Sequence, residues 1–127
     1  MKTVLIVDDS PSVRQQVCLA LAPSGYTMLE AGDGIEGIDR LEKNEVSLIL
    51  CDLNMPRMSG LEMVEKVRAT PAYANVPVLM LTSEGQPSLI HRAKEAGAKG
   101  WIVKPFKADL LVAAVQSVLR ANPTPPR

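Results

Sequence analysis

The sequence is short of most features that announce a function by composition alone. Its two cysteines, Cys18 and Cys51, have no CxxC spacing, which excludes a cysteine zinc motif and a disulfide framework. Cys51 sits within an apolar run, where a free thiol behaves as a small hydrophobe. The one histidine, His91, stands far from any second ligand residue and reads as a solvated side chain. Neither sign of charge is in excess. Fourteen Lys+Arg balance 14 Asp+Glu, so no global charge draws the chain to nucleic acid or to a membrane. No apolar run approaches the length of a membrane span. The opening MKTVLIVDDS has too short an apolar core and the wrong flank for a signal peptide. Gly32-x-Gly34 lacks the third glycine of a dinucleotide fingerprint, and there is no internal repeat. The expectation is one soluble, cytoplasmic domain: 127 residues suffice for a single full core and are too few for two typical ones.

What is present is concentrated in Leu48–Gly60, LILCDLNMPRMSG. Its four leading apolar residues, with no polar alternation, suit a strand buried on both faces, as in a parallel sheet. The run stops at Asp52, outside the carboxyl end of the strand, where open α/β sheets place reacting groups. Val4–Val7 ends in the same way at Asp8 and Asp9. A lone acid after a strand is ordinarily a helix cap or a turn residue. If the two buried strands are neighbours, their three acids converge and repel one another, and something positive is expected between them.

In chain order, strands are predicted over Thr3–Asp8, Tyr26–Ala31, Ser47–Cys51, Val78–Leu81 and Trp101–Lys104. The first helix starts at Ser10-Pro11, a capping residue followed by proline, and breaks at Pro23. Its core positions are Val13, Val17, Ala20 and Leu21. After a Gly32-Asp33-Gly34 turn, Ile35, Ile38 and Leu41 line one face of a second helix. A third runs from Ser59 or Gly60 to Thr70-Pro71 with Leu61, Val64 and Val67 inward. A fourth spans Pro87–Ala96 with Leu89, Ile90 and Ala93 inward. The last runs from about Lys107 to Ala121 on Leu111, Ala114, Val115, Val118 and Leu119. Residues 1–122 are read as one domain and Pro123–Arg127 as an extended or disordered tail. Met28, Met63 and Met80 read as core filler, Met55 and Met58 as residues shaping the loop after Asp52. Lys66, Arg68, Lys94 and Lys99 read as ordinary solvated charges. Five strands alternating with five helices imply a doubly wound parallel sheet covered on both faces.

The strand ends then collect Asp8 and Asp9, Asp52, Thr82-Ser83 and Lys104-Pro105. Three carboxylates around one mouth suit magnesium, a hard cation that takes oxygen ligands. A carboxylate can also serve as the nucleophile of phosphoryl transfer, giving an aspartyl phosphate. Hydroxyl and ammonium groups supply donors to the remaining phosphoryl oxygens.

VLIVDDS, CDLNMPRMSG, LMLTSE and KPF, in this order and at this spacing, resemble the receiver domain of bacterial two-component response regulators from Lys2 to about Leu119. The resemblance implies a flavodoxin-like sheet of order 2-1-3-4-5. It implies Asp52 as phosphoacceptor and metal ligand, Asp9 as a direct Mg2+ ligand, Asp8 acting mostly through water, and the backbone carbonyl of Asn54 completing the protein's ligands; Mn2+ would substitute. Thr82 looks like the switch hydroxyl and Lys104 like the lysine that pairs with the phosphate. The Lys104–Pro105 peptide is similar to one the family holds in cis, an isomer that sequence alone makes the minority form. Asn54 and Glu84 resemble the pair of the fast-dephosphorylating chemotaxis regulator. Trp101 stands where the family usually has tyrosine or phenylalanine as its switch aromatic, and Leu53 replaces an aromatic that some chemotaxis regulators carry.

The implied function is a switch that catalyses only its own phosphorylation and dephosphorylation. A sensor histidine kinase is the phosphodonor. The signal leaves through the surface of helix 4, strand 5 and helix 5 to an output protein such as a flagellar motor switch component, in chemotaxis or motility, with a phosphatase as a further partner. No nucleic acid or membrane is involved. Two alternatives stand beside it. One is a haloacid-dehalogenase-like phosphatase, against which Asn54 occupies the place of that family's second acid. The other is a phosphorelay intermediate or an adaptor outside chemotaxis. For Trp101 the competing reading is a fixed indole packed against helix 4.

Overall fold

The computed structural model of the chain describes residues 2–55, 57–83 and 87–121. The apolar runs form β1 (Thr3–Val7), β2 (Thr27–Ala31), β3 (Leu48–Asp52), β4 (Val78–Ser83) and β5 (Gly100–Lys104). The amphipathic stretches between and after them form α1 (Pro11–Leu21), α2 (Gly34–Lys43), α3 (Gly60–Ala69), α4 (Pro87–Ala96) and α5 (Ala108–Ala121). All strands pair in parallel in one sheet of order β2-β1-β3-β4-β5, as the sequence pattern and the resemblance imply.

Alternation along each strand divides the core into two layers. Leu5, Val7, Ile49, Cys51 and Met80 point one way, onto Ile38 and Leu41 of α2, Val64 and Val67 of α3 and Ala93 of α4. Val4, Ile6, Leu48, Leu50 and Leu81 point the other way, onto Val17 and Leu21 of α1 and Leu111, Val115 and Leu119 of α5. From Val4 in β1 and Leu48 in β3 these strands therefore carry no polar side chain until they end, and the first polar groups past that point share one edge of the sheet. Side chains cap the helices that leave it. Ser10 Oγ accepts from the Val13 amide ahead of Pro11, and Ser59 and Glu62 form a reciprocal capping box at α3.

Two expectations are corrected. Ile35 does not face the core: α2 begins at Gly34, and its buried face is Gly34, Gly37, Ile38 and Leu41. Ile35 lies roughly 100° around the axis from Gly34 and is 48% exposed. Arg68 is not a solvated charge. It is half-buried at the end of α3 and donates to the carbonyls of Ala74 (3.0 Å), Val76 (2.8 Å) and Gly97 (2.9 Å). Burial holds its pKa below the ordinary value. The chain after α3 turns back across the helix end and points the Ala74 and Val76 carbonyls at the guanidinium, and the end of α4 brings that of Gly97. Among the described residues, no helix is long and apolar enough to cross a membrane. The tail expected at Pro123–Arg127 lies outside the described residues.

Candidate functional site

The site follows from register. Val7 pairs with Cys51, so the next residues on these neighbouring strands, Asp8 and Asp52, emerge side by side. Asp8 is fully buried and Asp52 nearly so, while Asp9 is exposed. One carboxylate oxygen from each of Asp8, Asp9 and Asp52 lies within 4.8 Å of the others.

Each acid is anchored by its surroundings. Asp8 Oδ1 accepts from the Ser10 amide at 2.9 Å, and the Asp8 main-chain carbonyl takes Arg14 Nη1 at 2.6 Å. Asp52 Oδ1 accepts from the Asn54 amide at 3.3 Å. The loop beyond Asp52 folds tightly back on it: the Gly60 amide donates to the Leu53 carbonyl at 3.0 Å, and a Cβ at Gly60 would run into the Asp52 carbonyl oxygen. Only glycine fits there. Lys104 comes from β5, two strands and about 10 Å away across the sheet. Its long stem brings Nζ to 2.8 Å from Asp8 Oδ2 and 3.3 Å from Asp52 Oδ1. The peptide that follows, Lys104–Pro105, is cis.

The electrostatics are those of crowded anions. Burial, and after it the charge of Asp8, pushes the Asp52 carboxyl up to about 6, against the opposing pull of Lys104 and the Asn54 amide. Burial works against the Lys104 ammonium, but its hydrogen bond to Asp8 and the charges of Asp52 and Asp8 together hold its pKa above the ordinary value. One ammonium faces three carboxylates, which leaves negative charge that a divalent cation would offset. The donors are all hard oxygens, and octahedral ligands about 2.1 Å from a magnesium ion lie roughly 3–4 Å apart. That spacing falls inside the span of this cluster, so the residues fit Mg2+ or Mn2+.

Of the residues singled out in the sequence, Asp8, Asp9, Asp52, Asn54 and Lys104 come together. Thr82 is buried at the end of β4, and its hydroxyl donates to the Ser83 carbonyl at 2.8 Å, so its one proton points along its own strand. Glu84 lies outside the described residues. Trp101 shares the exposed face of β5 with Val103, away from Lys104, and is 43% exposed. Lys94 is exposed, as expected of a solvated charge, and places its Nζ 4.9 Å from the centroid of the Trp101 ring. The last turn of α4 lies beside the indole, and its electron-rich face attracts the ammonium. Sequence reasoning also missed Arg14, which braces the Asp8 backbone, and the ion pair of Asp33 with Arg57. The only sequence signal for the latter was the Gly32-Asp33-Gly34 turn, where Asp33 caps α2.

The acids, lysine and hydroxyl on these strands coincide with a known pattern, for residues 4–116 match the response regulator receiver domain. The chain is a member of this family. A chemotaxis protein CheY homolog of Campylobacter jejuni is 42% identical over 118 residues, 91% of either chain. Chemotaxis protein CheY1 of Helicobacter pylori is 37% identical over 121 residues, 94% of this chain and 98% of that one. Among solved structures, the chemotaxis protein CheY4 of Vibrio cholerae superimposes with a TM-score of 0.88 at 43% identity, covering 94% of this chain and 99% of that one. This is thus a CheY-like receiver domain of two-component signalling. Such domains are signalling proteins, not enzymes that turn over a separate substrate. In this receiver, Asp8, Asp9 and Asp52 are the acidic cluster that could bind a metal.

Proposed function

We propose that Asp52 accepts a phosphoryl group from a cytoplasmic sensor histidine kinase, and that the change this makes at Thr82 and Lys104 reaches the surface of α4, β5 and α5 around Trp101. The observation that carries the reading is the convergence of three carboxylates and one lysine at the carboxyl ends of β1, β3 and β5. An Asp52 oxygen attacks phosphorus while the bond to the donor's imidazole nitrogen breaks; the donor ring, protonated on its other nitrogen, keeps the electron pair and leaves as neutral imidazole. Asp9, Asp52 and the Asn54 carbonyl would hold Mg2+ directly, with Asp8 acting mostly through water. When bound, the ion neutralises phosphoryl oxygens that would otherwise repel the acids.

Lys104 already lies against Asp52 Oδ1 and is placed to pair with a phosphoryl oxygen. Thr82 exchanges its hydrogen bond to the Ser83 carbonyl for a stronger, charge-assisted one to the phosphate. That turn moves the end of β4. Trp101, on the neighbouring β5 with its ring beside α4, registers the movement at the surface that meets an output protein. Asn54 and Glu84 flank the phosphoryl group and set how fast water removes it. The kinship to chemotaxis proteins supports a motility pathway with a flagellar motor switch component as output.

Trp101 is the one tryptophan, so its fluorescence reports on this change alone. Beryllofluoride with Mg2+, a mimic of the aspartyl phosphate, is expected to shift its emission or its quenching by acrylamide. Thr82→Ala is expected to blunt the shift while leaving beryllofluoride bound. An unchanged spectrum at confirmed saturation would show that the signal does not pass through Trp101.

A further inference from the structure

The loop that follows Asp52 is tied to a part of the molecule with no place in the chemistry above, the start of α2. Arg57 lies in this loop with φ 66°, the left-handed region that a residue with a side chain adopts at a cost. Such a conformation persists where the surroundings over-determine it. Here the Arg57 guanidinium pairs through Nε (3.0 Å) and Nη2 with Asp33 Oδ2. Asp33 is itself 6% exposed, and its other oxygen caps α2 by accepting from the Glu36 amide at 2.9 Å. The two oxygens thus divide the work: one fixes the helix, the other the loop. The hydrogen bond from Arg57, then that from the Glu36 amide, holds the Asp33 carboxyl below the usual carboxylate range.

The next residue adds a steric contact. Met58 lies over Gly34 so closely that a Cβ on Gly34 would come within 2.7–2.9 Å of its side chain. At its far end the loop is closed by Gly60 against Asp52 and Leu53. Asn54 lies inside an arc pinned at Asp52 and Gly60 and, between them, docked at Arg57 and Met58 onto the first turn of α2.

We propose that Asp33 and Arg57 form a clasp that positions the Asn54 main chain for the cation, so that the turn before α2 sets the metal affinity of a site it does not touch. The inference rests on the metal-site reading given above. Both are positioning residues, and neither is a ligand.

The test is calorimetric titration of MgCl2 into wild type, Arg57→Gly, Arg57→Lys, Asp33→Asn and the Asp33→Asn/Arg57→Gly double variant, with unfolding midpoints taken in Mg2+-free buffer. Arg57→Gly removes the guanidinium while relieving the left-handed backbone. Asp33→Asn keeps the cap, which asparagine supplies as well as aspartate. The metal-free midpoints should therefore stay within about 3 °C of wild type. Arg57→Gly and Asp33→Asn are each expected to weaken Mg2+ binding roughly three- to fivefold. The double variant should be no weaker than the worse single one. Arg57→Lys should recover part of the loss, since an ammonium keeps the charge without the planar fork. Wild-type affinity in both Arg57→Gly and Asp33→Asn, or fully additive losses in the double variant, would overturn the clasp and leave the metal site standing. Absence of saturable Mg2+ binding by wild type would overturn both.

Discussion

With Asp52 pushed up to about 6 by burial and the Asp8 charge, against an unfolded value of about 4, the sign of its contribution to stability is set. A carboxyl with a raised folded value binds its proton more readily in the folded protein. Its stabilising contribution is complete below the unfolded value and is lost as pH rises through about 6. In Mg2+-free buffer, Asp52→Asn should therefore stabilise the protein at pH 7.5, by roughly 1–3 kcal/mol. The gain should fall to about half by pH 5. Urea denaturation of both proteins at the two pH values measures this, and a gain independent of pH would contradict the assignment of strain to Asp52. At this scale the convergence of the acids and the lysine was legible in the sequence. Asp8, Asp9, Asp52 and Lys104 each end an apolar run, and a strand's last residue is a position that the run itself defines. Partner choice was not legible. Lys94 meets Trp101, and Arg57 meets Asp33, only because of where distant turns return, which no local spacing encodes.

Among the elements, α3 shows how an unremarked charge can organise its neighbours. Arg68 ties the end of α3 to the segment leading into β4 and to the Gly97 carbonyl just past α4. Its loss leaves three carbonyls to find other donors. Arg68→Met, which keeps the stem and removes the guanidinium, should destabilise the protein by roughly 2–4 kcal/mol. Arg68→Lys should recover little, because one ammonium does not reproduce a planar fork. Equal urea midpoints for Arg68→Met and wild type would show the three bonds to be dispensable. The elements themselves were read from periodicity to within a few residues, because buried parallel strands are apolar without interruption and the helices begin at recognisable caps. Ile35 shows the limit of that reading. A three-residue spacing at a helix start does not fix which side faces inward until the first turn is placed, and two glycines took the buried face instead.

For the whole molecule, the strand order decides everything that follows: placing β1 and β3 together at the centre sets their acids side by side, and β4 and β5 bring Thr82 and Lys104 to the same edge. A cation bound only by the folded arrangement stabilises it by linkage, by about 1.4 kcal/mol at ten times its dissociation constant. Magnesium should raise the unfolding midpoint of wild type, Asp9→Ala should remove most of that rise, and Asp8→Ala less of it. An Asp9→Ala protein that responds to magnesium like wild type would displace Asp9 from the ligand set. The central claim, that this edge of the sheet exists to place a phosphoryl group on Asp52, is tested most directly by intact mass. Incubated with Mg2+ and acetyl phosphate, wild type should gain one phosphoryl group and Asp52→Asn none. Equal labelling of the two proteins would contradict the account.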